Sequence, residues 1–331
     1  MARGGFQVAA VIEVKDLHRD YVTHKGWVRR KKTMVQAVQG ITFDVREGEI
    51  FGLLGQNGAG KTTTIKMLIT LLAPTRGTCR VLGHDTMAES REIRSRINFI
   101  FGGELGVYRR LSARDNLKYF ANLYRVEPQK AKKQIDEILA LVDLSDKADL
   151  RVETYSKGMI QRLQIARGLI NDPEIILMDE PTVGLDPLGA RMLRDVIRRL
   201  KSYGKTVLLT THYMYEADEL CDRIAIIHKG KIVALDTPKG LKQSVKGNEA
   251  IEVTVERVDK PVLDRIKSIP GVNALTVKED DPHSRIHVSY DAGTDISSAL
   301  LDTLSDSRVV SWSRKELSLE DAFIILTGED A

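Results

Sequence analysis

The run Gly55-Gln56-Asn57-Gly58-Ala59-Gly60-Lys61-Thr62-Thr63 restricts what this chain can fold into more than any other stretch. Before it, Glu49-Ile50-Phe51-Gly52-Leu53-Leu54 has the composition of a parallel strand covered on both faces. After it, Ile65, Leu68, Ile69 and Leu72 recur at helical spacing until Pro74 and Gly77 end the pattern. Strand, glycine-rich turn and helix in that order form a phosphate-binding loop. Its glycines let successive backbone N-H groups turn onto phosphate oxygens at a helix N-terminus that already favours negative charge. Lys61 reaches the terminal phosphates in such a loop, and the Thr62 hydroxyl ligates magnesium. A nucleoside triphosphate site follows, but not yet a function.

A chain of 331 residues exceeds the size at which one core stops growing, so a large domain and a smaller one are expected. With 50 basic and 46 acidic residues, the net charge of +4 is too balanced for a nucleic-acid footprint. No uninterrupted apolar run approaches the roughly 18 residues that cross a bilayer. Phe6 to Val14 is short and broken by Glu13, which makes a poor signal peptide, so a cytoplasmic chain is expected. Cys79 and Cys221 are far apart and fit a reducing compartment, with no zinc pattern.

Two further apolar runs end on residues that carry chemistry. Glu174-Ile175-Ile176-Leu177-Met178 finishes in Asp179 and Glu180, and residues at the carboxyl ends of strands line the ligand crevice of a nucleotide-binding sheet. Asp179 is placed to hold magnesium and Glu180 to polarise the attacking water. Thr206-Val207-Leu208-Leu209-Thr210-Thr211 ends likewise in His212, read as a contact to the terminal phosphate. Tyr21, closing a strand from Ile12, is the aromatic residue best placed to stack on a purine, with an ordinary strand-end tyrosine as the alternative. Lys25 to Lys32 reads as a solvated hairpin loop, although its cations beside Trp27 also suit lipid headgroups or a partner. From Ala113 to about Ser156 the pattern is helical. Leu117, Phe120, Ala121 and Tyr124 form one stripe and Ile135, Ile138, Leu139 and Val142 another. Ser156 is expected to cap the next helix.

The order of these motifs narrows the reading. Tyr155-Ser156-Lys157-Gly158-Met159, followed by Ile160-Gln161-Arg162 and lying between the phosphate loop and the Asp179-Glu180 strand, resembles the signature of ATP-binding-cassette proteins. Gly184-Leu185-Asp186-Pro187 resembles that family's D-loop, and His212 its switch histidine. The resemblance covers about Ile12 to Lys239. It implies a P-loop NTPase of α/β class with a helical insertion at about 104–165, ATP and Mg2+ as ligands, and a head-to-tail pair of copies. Gly55 to Thr63 and Tyr21 would hold the nucleotide, with Lys61, Glu180 and His212 catalytic. Thr62 and Asp179 would hold the metal, the signature residues Ser156, Lys157, Gly158 and Met159 would act in trans with Ser156 and Gly158 covering the partner copy's γ-phosphate, and Asp186 would link the two sites. The sequence departs from the family pattern at Lys157 and Met159, which replace a glycine and a glutamine. It departs again where the family places a glutamine after the Phe99 to Phe101 strand: here stand Gly102, Gly103 and Glu104, and water is expected to take that coordination position, with Glu104 reaching it as the alternative.

Beyond Gly240 the periodicity changes. Ile251, Val253 and Val255 alternate, Val262, Ile266 and Ile269 suggest a helix, and two alternating stretches follow near Ala274 to Lys278 and Ile286 to Tyr290. Ile296, Leu300, Leu301 and Leu304 mark another helix, and Val309 to Trp312 a last strand. This β-α-β-β-α-β order suggests a small α+β ferredoxin-like domain, closed by a helix capped at Ser318. His283 and His287 are read as turn and strand-face residues, because no ligand spacing matches a common metal site. The expected domains are therefore 1–246, an ATPase domain, and 247–331, an accessory domain. The tail, with Leu319-Glu320-Asp321-Ala322-Phe323, resembles the C-terminal extension of exporter-type ATPase subunits. That resemblance implies the ATPase subunit of a membrane exporter, working with separate transmembrane permease subunits at the cytoplasmic face of the membrane. A cassette ATPase acting on ribosomes or nucleic acid is the competing reading, and the single cassette without sustained heptads argues against it.

Overall fold

The computed structural model describes residues 9–25, 31–101, 106–245, 248–280, 282–305 and 307–328. The expectations for Gly102, Gly103 and Glu104 lie outside these residues, as does 26–30 of the loop expected from Lys25 to Lys32; Lys25, Lys31 and Lys32 instead belong to paired strands, which extend further than the apolar pattern does. The chain divides after Leu235 into two compact units.

In the first unit, β1 (Ala10–Lys25) and β2 (Lys31–Arg46) form a long antiparallel hairpin that precedes β3 (Ile50–Leu54) and α1 (Lys61–Leu68). Next come β4 (Arg76–Val81), β5 (His84–Asp85), α2 (Ser90–Arg96) and β6 (Ile97–Phe101). The helical insertion consists of α3 (Ala113–Leu123), α4 (Pro128–Leu141), two short 3-10 turns and α5 (Lys157–Leu169). The chain continues through β7 (Ile175–Asp179), α6 (Pro187–Ser202), β8 (Thr206–Thr211), α7 (Met214–Leu220), β9 (Arg223–His228) and β10 (Lys231–Asp236).

Two sheets result: an antiparallel one ordered β2-β1-β4-β5 and a central one ordered β10-β9-β3-β8-β7-β6. β3 and the inner residues of β7 and β8 are apolar because the central strands are covered on both faces, and Phe51, Leu177 and Leu208 are all completely buried. The core between the sheets joins Ile12, Val14, Ile41 and Phe43 of the hairpin to Phe51, Leu53 and Leu68, with the Phe43 and Phe51 rings stacked at 5.3 Å. Arg223 on β9 clasps the same junction, donating to Asp44 Oδ2 at 3.1 Å and Glu49 Oε1 at 3.2 Å. In the insertion, Leu117 and Ala121 are buried as their spacing requires, but Tyr124 is 43% exposed. It stands just past the end of α3, where its hydroxyl accepts from Asn98 Nδ2 at 3.4 Å and its ring need not enter the core.

In the second unit, α8 (Pro238–Ser244) precedes β11 (Asn248–Val255), α9 (Lys260–Lys267), β12 (Val272–Asp280), β13 (His283–Asp291), α10 (Ser297–Thr303), β14 (Val309–Lys315) and α11 (Leu319–Thr327). The sheet order is β12-β13-β11-β14 with every paired neighbour antiparallel, the arrangement of two interleaved β-α-β units. Ile251, Val253, Ile266, Ile286, Val288 and Leu300 form its core. Leu301, grouped by spacing with the buried leucines, is 49% exposed because α10 is only two turns long and presents one narrow face. α11 is fixed by a reciprocal cap: Ser318 Oγ accepts from the Asp321 N-H at 3.1 Å, and Asp321 Oδ2 accepts from the Ser318 N-H at 2.8 Å. Asp321 Oδ2 also meets His287 Nε2 at 2.9 Å, tying the helix to β13.

Candidate nucleotide site

Strand register brings the chemistry together. Leu54 pairs with Thr211 and Asp179 with Thr210, so the segments leaving β3, β7 and β8 emerge side by side at the carboxyl edge of the sheet. The phosphate loop leaves β3, fixed by a hydrogen bond from the Gly55 N-H to Thr211 O at 3.2 Å. It then threads a gap with no room for side chains. A Cβ at Gly55 would lie 2.3 Å from Ile227 O, and one at Gly60, whose φ is +109°, would lie 2.5 Å from Ala37 O. Asn57 and Gly58 are exposed at the crest, Gln56 is half-buried, and Ala59 is buried beneath.

Lys61 is 4% exposed. Its ammonium donates to Gly55 O at 2.6 Å and Gln56 O at 3.1 Å, and it pairs with Glu180 Oε1 at 3.1 Å. Thr62 Oγ1 donates to Asp179 Oδ2 at 2.8 Å, and Thr210 Oγ1 donates to Asp179 Oδ1 at 2.5 Å. Glu180 adopts a left-handed backbone at φ 49°, a conformation that costs a non-glycine residue about 1–2 kcal/mol. Its N-H is held by Thr210 O at 3.1 Å. Burial pushes the Glu180 carboxyl up, but Lys61, aided by His212, more than offsets that and holds it below the usual carboxylate range. His212 Nδ1 lies 3.2 Å from Glu180 Oε1, off the line of a hydrogen bond.

Lys61, Thr62, Asp179, Glu180 and His212 thus form one cluster built from three strand ends. A second group lies at two adjacent helix starts. Ser156 caps α5, accepting from the Met159 N-H at 3.2 Å, and Asp186 caps α6, accepting from the Gly189 N-H at 2.6 Å. A Cβ at Gly158 would come within 3.7 Å of Gly189 Cα, so the two helix starts nearly touch. Ser156 and Lys157 are exposed there, and Gly158 and Met159 are half-buried. Tyr21 is half-buried on β1, with the Arg19 guanidinium 4.8 Å from its ring centroid.

Thr62 Oγ1 and Asp179 Oδ2 are hard oxygen donors beside the loop, a set suited to Mg2+, which takes few protein ligands and completes its octahedron with phosphate and water. Among the described residues no group of three or more His, Cys, Asp or Glu could hold a metal alone. Sequence reasoning missed one member of the site, Thr210, whose hydroxyl holds Asp179 Oδ1: a hydroxyl within an apolar run carries no distinguishing pattern.

A family model described as ABC transporter matches residues 38–183. The linearmycin resistance ATP-binding protein LnrL of Bacillus subtilis is 36% identical over 298 residues, covering 90% of this chain and 94% of its own. The chain belongs to the ABC transporter family, as an ATP-binding subunit. This ABC ATPase is also 40% identical over 304 residues to the fluoroquinolones export ATP-binding protein Rv2688c of Mycobacterium tuberculosis, covering 91% of this chain and 90% of that one. Among solved structures it resembles the dimeric, post-hydrolysis ATP-binding cassette MJ0796 bound to ADP and Pi, with a TM-score of 0.58 and 25% identity over 68% of this chain and 98% of that one. The ABC ATPase therefore binds and hydrolyses ATP, and its sheet with a helical insertion is that of the cassette fold.

Proposed function

We propose that this ABC ATPase drives an exporter whose membrane-spanning permease subunits are separate polypeptides, and that two copies close around two ATP molecules. The observation that carries the reading is the meeting of Lys61, Asp179, Glu180 and His212 at the ends of three adjacent strands. Relatives named for linearmycin resistance and fluoroquinolone export support export as the task. No helix of the described residues is long and apolar enough to cross a membrane, so a transporting assembly needs other subunits and this one would sit peripherally on their cytoplasmic side. The ribosomal or nucleic-acid reading gains no support from those relatives.

In this reading residues 55–63 cradle the phosphates, Lys61 neutralises the terminal ones, and Tyr21 supports the adenine on the ring face opposite Arg19. Thr62 and Asp179 would hold Mg2+, which neutralises charge on the phosphate oxygens when bound. Glu180 accepts the proton of the attacking water, the ionised state its depressed pKa preserves, and His212 steadies the γ-phosphate. Ser156 and Gly158 of one copy close over the nucleotide held by the other, excluding water and supplying donors at a helix N-terminus. Lys157 and Met159 flank that contact, and Asp186 connects the two sites. Residues 1–246 carry this chemistry and residues 247–331 serve as the accessory domain.

The test is Glu180→Gln with ATP and magnesium. The variant is expected to elute as a dimer on gel filtration while its turnover falls by about 10²–10⁴. Persistent monomers with nucleotide bound would refute the paired arrangement, and copurification with hydrophobic subunits from detergent-solubilised membranes tests the exporter assignment.

A further inference from the structure

Glu216 is 2% exposed, and none of the roles above uses it. It lies in the first turn of α7, where its Oε2 accepts two hydroxyl hydrogen bonds, from Thr211 at 2.7 Å and from Thr182 at 3.1 Å. Thr211 ends β8 immediately before His212. Thr182 follows Glu180 by two residues, in the segment that runs on to Asp186. A single buried oxygen therefore ties together the two segments that present Glu180 and His212. Thr211 Oγ1 in turn accepts from the Tyr213 N-H at 3.0 Å, which closes the turn around His212.

Glu216 Oε1 is buried with no hydrogen-bond partner. Burial raises the pKa of this carboxyl against the hydrogen bonds from Thr211 and Thr182 and the more distant charges of Arg194 and His212. For stability alone this is a poor choice of residue, because an apolar side chain of similar size would fill the space without an unmet acceptor. What an apolar side chain cannot do is receive hydroxyls from two different segments at once. The spacing at stake is short: His212 Nδ1 and Glu180 Oε1 are 3.2 Å apart.

We propose that Glu216 is a positioning residue for hydrolysis, which holds Glu180 and His212 in mutual register by binding Thr182 and Thr211 through one carboxyl oxygen. The inference rests on the reading of Glu180 as the base. Misplacing a reacting group by about 1 Å costs up to about 10²-fold in rate, so small slippage of either segment is sufficient.

Two substitutions in the full-length chain separate positioning from packing. Glu216→Leu removes the acceptor, and Glu216→Gln keeps an oxygen for both hydroxyls. Glu216→Leu is expected to lower kcat about 10- to 100-fold while KM for ATP and the Kd of a fluorescent ATP analogue stay within about threefold. Glu216→Gln is expected to keep kcat within about threefold of wild type, and the pair Thr182→Val with Thr211→Val to reproduce the Glu216→Leu loss. In a Glu180→Gln background, Glu216→Leu should add no further loss. A role in packing alone would raise KM and Kd together with the fall in kcat, and Glu216→Gln would not rescue it. If Glu216→Leu does not fold, hydrogen exchange on the double-valine chain decides: faster exchange at 181–186 and 211–214 with β3 unchanged supports the inference, and unchanged exchange overturns it. The two readings fail separately. Near-normal turnover in Glu180→Gln removes the base assignment, whereas an inactive Glu180→Gln beside a Glu216→Leu of wild-type kcat removes this one.

Discussion

Glu180→Gln deletes one negative charge and leaves the shape of the side chain unchanged, so its effect on the nucleotide-free protein reads chiefly the Lys61 pair, with His212 3.2 Å from the same oxygen as the smaller contributor. The ammonium is 3.1 Å from Glu180 Oε1, with the two side chains 4% and 24% exposed. At an effective dielectric of about 20 the gross attraction over that distance is about 5 kcal/mol. Most of it is offset, because the neutral amide no longer bears the desolvation cost of a carboxylate and its oxygen still accepts from Lys61. A net loss of about 1–2 kcal/mol remains. For a unit of this size about 2–4 °C accompanies each kcal/mol, so the melting temperature should fall by about 2–8 °C without nucleotide. The pH sign is fixed by the depressed Glu180 pKa: the contribution is present above the ordinary carboxylate range and disappears as pH falls through the folded value. Wild type and variant should therefore converge in acid. Saturating ATP with magnesium should also narrow the gap, because phosphate supplies Lys61 with the charge the variant lacks. Differential scanning calorimetry across pH, with and without nucleotide, measures all three effects. An unchanged melting temperature at neutral pH, or a gap that widens in acid, would refute the reasoning.

Gly60→Ala should abolish nucleotide binding and destabilise the first unit by about 2 kcal/mol or more, since φ is +109° and the added methyl would meet Ala37 O at 2.5 Å; equilibrium dialysis with ATP and thermal melts check it. Asp186→Ala should cost about 1 kcal/mol through loss of the α6 cap, and ATP-dependent dimerisation of the Glu180→Gln chain should weaken when the two are combined. His287→Gln addresses the second unit. The hydrogen bond that His287 donates to the Asp321 carboxylate raises the His287 pKa, so its contribution is complete below the ordinary imidazole range and is lost as pH rises through the folded value. Burial pushes Asp321 up, but His287 and Ser318 together hold it below the usual range, so that contribution is lost as pH falls through its folded value. Wild-type stability should then exceed that of His287→Gln by about 1–3 kcal/mol between about pH 4 and pH 6.5, with the difference shrinking on either side; urea titrations monitored by Trp312 fluorescence would read it.

The sequence alone determined the loop from Gly55 to Thr63, the carboxylates ending β7, the histidine following β8 and the serine caps at 156 and 318. Each is encoded within a few consecutive residues: a glycine that admits positive φ, an apolar run, a hydroxyl three residues before the N-H it accepts from. The alternation after Gly240 likewise anticipated the β-α-β-β-α-β order, because burying one face of a strand leaves a period of two in the chain. What the tertiary structure decided depends on neighbours distant in sequence. Only the strand order sets β3 beside β8 and β8 beside β7, which puts Lys61 against Glu180 and Thr62 against Asp179. Only packing exposes Tyr124 and Leu301 at positions whose spacing matched buried stripes. Only packing, too, encloses Glu216 between Thr182 and Thr211, for a carboxylate has no local pattern that announces what will surround it.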